Sequence, residues 1–145
     1  MKDTAKDDSA GEERRAVAYA IGWLERNVGE KIGTKADRAG MDFIASGDPN
    51  QQDCLDEATN TTSYLKLLTH HGLIRHHTVA APFAKENYLR GISGWTHWTA
   101  VLKEKESGTR WAVDSWIQKN GVNPAVVEAD KWYITDLEDL PGATL

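Results

Sequence analysis

A single cysteine stands in this 145-residue sequence, beside only four prolines, two methionines and two phenylalanines. One cysteine excludes an internal disulfide framework and fits a reducing compartment. The formal net charge is −5 and no long basic run occurs. Phosphate contact needs clustered Lys and Arg, so nucleic-acid binding is not expected. No apolar run approaches bilayer-spanning length, and Met1 to Arg15 holds no apolar stretch for secretion. No glycine-rich phosphate loop appears, so nothing supports a nucleotide. These absences predict a cytoplasmic protein that meets neither membrane nor nucleic acid and carries no cofactor.

What is present fits one globular domain. Hydrophobic residues make up 40% and charged residues 27%, close to the globular average. Residues 1–8 alternate Lys and Asp with few apolar residues and predict a mobile tail; residues 9–145 then form a single domain. Ser9 and Glu12 match a capping box, followed by the helical stripe Ala16, Val17, Ala20, Ile21, Leu24 and Val28, with Gly29 as terminator. Glu30 to Asn50 is rich in turn residues, with a short helix expected near Thr34 to Ala39.

The lone cysteine opens the clearest helical pattern. From Cys54, the positions Ala58, Thr61, Leu65 and Leu68 recur at helical spacing, which predicts a helix to about His70, stopped by Gly72. Asp53 suits the N-cap, so Cys54 falls in the first turn, where the helix dipole and free backbone N–H groups favour a thiolate. Asp53, Asp56 and Glu57 act against that anion, so activation calls for a cationic partner, usually histidine. Taken alone, Cys54 reads more readily as a small buried hydrophobe.

Further along, Leu73 to Val79 has strand character, with Ala81-Pro82 ending it and Phe83 to Ser93 as a loop. Trp95 to Lys103 and Thr109 to Ile117 form two β-rich runs around a charged tip with glycine, a hairpin signal. Pairing Lys103 with Gly108 sets His97 opposite Asp114, with Cβ atoms about 4.5–5.5 Å apart on one face. Trp98, Ala100 and Leu102 then share the other face with Trp111 and Val113. Asp is depleted in strands, and a carboxylate within Trp111-Ala112-Val113-Asp114-Ser115-Trp116 needs a partner that His97 supplies. Ala125 to Val127 and Trp132 to Ile134 are further strand candidates, and Glu138 to Leu145 is expected to fray.

Cys54 at a helix start, His97 on one strand and Asp114 on the next supply the three roles of a thiol triad. The runs Cys-Leu-Asp-Glu-Ala, Thr-His-Trp-Thr-Ala-Val and Trp-Ala-Val-Asp-Ser-Trp, in that order, resemble the transglutaminase-like branch of the papain-like cysteine enzymes. They are especially similar to the small bacterial transglutaminase-like cysteine proteinases, over Gln51 to Trp116. The resemblance implies an α+β fold with the cysteine-bearing helix packed on an antiparallel sheet. It also implies Cys54, His97 and Asp114 as triad, and acyl transfer through a thioester on a peptide or protein substrate. Papain-type enzymes place an oxyanion-hole glutamine upstream of the cysteine. The equivalent position here is Asp48, which leaves Gln51 or Gln52 as candidate donors beside the Cys54 N–H. Trp95 and Trp116 are candidate cleft walls. The alternative is a transglutaminase-like binding or scaffold domain without turnover.

His70, His71, His76 and His77 invite a metal reading, but neither adjacent pair has the spacing of two ligands converging on one ion. No metal site is expected.

Overall fold

Among the described residues, two helices, a four-stranded sheet and a short third helix follow one another in an α+β arrangement. The computed structural model describes residues 8–32, 54–89 and 92–143, the side chains of residues 29, 30, 32, 86–89 and 92–95 excepted. The expected helix near Thr34 to Ala39 lies outside the described residues. Among the described residues, no helix is long and apolar enough to cross a membrane.

Helix α1 spans Ala10–Ile32, and Ser9 Oγ accepts the Glu12 backbone N–H at 3.3 Å. It runs on past Gly29, because a helix-interior glycine costs only about 1 kcal/mol relative to alanine. Its buried face is Glu13, Val17, Ile21 and Glu25, while Ala16 of the expected stripe is exposed. Two glutamates replace apolar residues on that face because each meets backbone N–H groups. Glu13 accepts those of Arg75 and His76, and Glu25 accepts that of Gly121. Asp8, expected in the mobile tail, is instead held by Arg75 and His76.

Helix α2 spans Cys54–His70 and buries Cys54, Ala58, Thr61 and Leu65 on the face that the spacing predicts. Gly72, at φ +70°, ends it with bonds from Gly72 N–H to Thr69 O and from Leu73 N–H to Leu68 O.

The antiparallel sheet has the order β1-β2-β3-β4, with β1 His77–Leu89, β2 Ile92–Glu104, β3 Arg110–Asp114 and β4 Ala125–Glu128. The expected stop at Ala81-Pro82 and the expected loop from Phe83 are both corrected, since β1 passes through them. A proline is tolerated there because β1 is an edge strand and its register shifts between Ala80 and Phe83. Trp132 to Ile134 is also corrected: it belongs to helix α3, Ala129–Ile134, with Trp132 buried and Tyr133 and Ile134 exposed. The C-terminal stretch is packed, not frayed, as far as residue 143: a 3-10 turn at Leu137–Asp139 buries Leu137 and Leu140.

Register between β2 and β3 differs from expectation by two residues. Lys103 pairs with Arg110 and Ala100 with Val113, so continuing the ladder sets Thr99, not His97, opposite Asp114. The hairpin loop is longer than expected: Gly108 takes φ +74° and Thr109 O accepts the Glu104 N–H. A two-residue slip keeps every side chain on its face, whereas a one-residue slip would have parted His97 from Asp114.

The sheet separates two apolar clusters. Val17, Ile21 and Leu65 of α1 and α2 pack with Ala100, Leu102 and Val113. Trp132 of α3, with Leu137 and Leu140, packs with Ala112, Trp116 and Ile117. Cys54 belongs to the second cluster, although its helix contributes Leu65 to the first. The start of α2 thus joins the two layers.

Candidate active site

Three chain segments meet at Cys54. The helix start carries the thiol, β2 carries His97 and the end of β3 carries Asp114. His97 Nε2–H donates to Asp114 Oδ2 at 2.7 Å, a diagonal contact across the β2–β3 pair. Both groups are sealed from solvent, His97 at 0% and Asp114 at 2% exposure. Cys54, at 8% exposure, points its Sγ–H at Thr96 O across 3.5 Å, and its thiol acts electrostatically on His97. Nε2 is committed to Asp114, which leaves Nδ1 as the other ring nitrogen.

Electrostatics reinforce this contact. Burial works against a charged imidazole, but the Asp114 charge and hydrogen bond, followed by those of Cys54, outweigh it and raise His97 to about 9. The ring also packs against Trp116, with centroids 4.8 Å apart, and against Trp132 at 5.5 Å. Beside the site, Thr61 Oγ1 and Ser115 Oγ hydrogen-bond at 3.0 Å and tie α2 to the chain just after β3.

Each sequence candidate has a definite place. Cys54, His97 and Asp114 come together. Trp116 is buried against His97 and shares a cluster with Cys54. Trp95 lies on β2 opposite Asn87, but its side chain is outside the described residues, as are Gln51 and Gln52 entirely. His70 and His71 stack edge-on at the end of α2, and among the described residues no cluster of His, Cys, Asp or Glu is arranged to hold a metal ion.

Two members of this neighbourhood carried no sequence signal. Trp132 Nε1–H donates to Asp114 Oδ2 at 2.8 Å, and Lys85 Nζ donates to Trp132 O at 2.6 Å. Trp132 sat in an apolar run that reads as strand, and Lys85 in a stretch that reads as loop. No family model, no curated protein and no solved structure matches this chain.

Proposed function

We propose that Cys54, His97 and Asp114 form the triad of a thiol-dependent acyl-transfer enzyme, a cysteine peptidase or amidase of the transglutaminase-like, papain-like type. One observation carries this reading: a buried imidazole bonded to Asp114 through one nitrogen and electrostatically coupled to the chain's only thiol. That arrangement assigns a role to each group.

His97 takes the Cys54 proton, and the sulfur attacks the carbonyl carbon of a peptide or amide. The carbonyl π electrons move to oxygen, giving a tetrahedral oxyanion. The Cys54 backbone N–H, at the first position of α2 where no helical carbonyl uses it, is one donor for that oxyanion, and Gln51 or Gln52 is the proposed second. Collapse breaks the C–N bond, His97 protonates the departing amine, and a thioester remains on Cys54. Water, deprotonated by His97, then releases the acid and the free thiol. Asp114 holds the ring in the orientation that serves both transfers.

The test is alkylation of Cys54 by iodoacetamide and by a peptide electrophile near neutral pH, followed by mass spectrometry. The wild type is expected to react about 10²-fold faster than His97→Ala, the scale of a lost general base. Equal rates would overturn the triad. They would favour the second reading, a scaffold domain, whose supporting observation is the near-complete burial of the thiol.

A further inference from the structure

Asp114 is held from two sides. His97 Nε2–H and Trp132 Nε1–H both donate to Oδ2, at 2.7 and 2.8 Å, while Oδ1 has no hydrogen-bond partner among the described residues. A carboxylate held by a single donor can swing about its terminal torsion, which is broad and twofold. A second donor, arriving on the same oxygen from another element, removes that freedom.

The element that brings it cannot hold itself. Helix α3 has six residues, far short of the length at which a helix is stable alone. Lys85 supplies an anchor: its Nζ donates to Trp132 O and to Thr135 O, both at 2.6 Å, and lies 4.4 Å from the centre of the Trp132 ring. Lys85 therefore caps carbonyls at the end of α3 while stacking on the indole whose N–H reaches Asp114. It sits on β1 directly opposite His97, at 4% exposure. Burial lowers its ammonium to about 8, against the opposing pull of Asp114 and Asp136. One strand pair thus carries both the imidazole and the clamp on the indole that shares its carboxylate.

We infer that Trp132 is a positioning residue for the triad, holding the Asp114 carboxylate toward His97 through its indole N–H, and that Lys85 acts through Trp132. This rests on the triad reading above. Trp132→Phe would confuse loss of the donor with a cavity, so the deciding variant is Trp132→β-(3-benzothienyl)alanine. That residue keeps the shape and lacks the N–H. Lys85→Met, which keeps the straight side chain, is its companion.

Two measurements are made on each protein, next to wild type and His97→Ala: the pH profile of Cys54 alkylation, and the low-field proton resonance of the His97 ring N–H. The benzothienyl variant is expected to melt close to wild type, to shift or lose that resonance, and to alkylate about tenfold more slowly, the scale of one charge-assisted hydrogen bond. Lys85→Met should move both readouts in the same direction and by less. An unchanged resonance and pH profile in the benzothienyl variant would overturn the inference, whatever the melting temperature does. If His97→Ala alkylates as fast as wild type, the triad reading is what fails, and the His97 resonance alone then decides whether Trp132 positions the carboxylate.

Discussion

His77 on β1 and His97 on β2 are both fully buried, and each donates to a carboxylate at 2.7 Å. They differ in what else acts on the ring. At His77, Nδ1–H donates to Glu13 and Arg14 donates to Nε2 at 3.2 Å; the same guanidinium nitrogen donates to Glu104 at 2.6 Å. A guanidinium can only donate, so both nitrogens of that ring are engaged in hydrogen bonds. The carboxylates differ too. Glu13 is filled by the Arg75 and His76 backbone N–H groups besides the ring, whereas Asp114 Oδ1 has no partner among the described residues. A buried imidazole–carboxylate pair is therefore no mark of catalysis by itself. What else acts on the ring separates a tie from a candidate catalyst: an arginine bonded to the second nitrogen in one pair, the electrostatic influence of a thiol in the other.

The strongest way to break the comparison is to remove each ring in turn. His97→Ala is expected to slow Cys54 alkylation by about 10²-fold or more, and His77→Ala to leave that rate within about twofold while lowering the melting temperature. A large kinetic effect from His77→Ala would erase the distinction. Next come the carboxylates. Asp114→Asn should keep the fold and cut alkylation about tenfold. Glu13→Gln should cost about 2 kcal/mol in denaturant unfolding, because its amide sets N–H groups against backbone donors, with no kinetic effect.

Acidity sharpens the same contrast, since the two pairs weaken at opposite ends of the scale. Burial pushes the Glu13 carboxyl up, but hydrogen bonds from the His76 and Arg75 backbones and the His77 ring reverse this and hold it below its ordinary 4.5. Its stabilising effect is complete above that value and disappears as pH falls through the lowered one. The effect of raised His97 is complete below its ordinary 6.5 and disappears as pH rises through about 9. Melting curves should accordingly lose their acid-side slope in Glu13→Gln and their alkaline-side slope in His97→Ala. Under the proposed mechanism, turnover of a peptide amide falls through about pH 9, where the imidazolium proposed to protonate the leaving amine is lost. The smallest effect concerns Ser9→Ala. Losing its bond to the Glu12 N–H frays the turn that carries Glu13 and costs about 1 kcal/mol, with alkylation unchanged.

The sequence by itself determined the local elements and the faces. Spacing from Cys54 to Leu68 specifies α2, because side chains three and four apart share one side of a helix. Strand alternation put His97 and Asp114 on one face, and that survived a two-residue error in register because the pleat repeats every two residues. Tertiary structure alone decided the rest. Pro82 lies inside β1 because that strand is at the sheet edge, and Trp132 to Ile134 is helical because only Trp132 has a core to fill. Position along the chain could not show that Cys54 leaves the cluster of Leu65 for that of Trp132, or that Glu13 closes on His77, 64 residues away. Nor could it show that Lys85 clamps the indole that holds Asp114. Local propensity acts over one or two turns, while these contacts exist only once distant elements are packed.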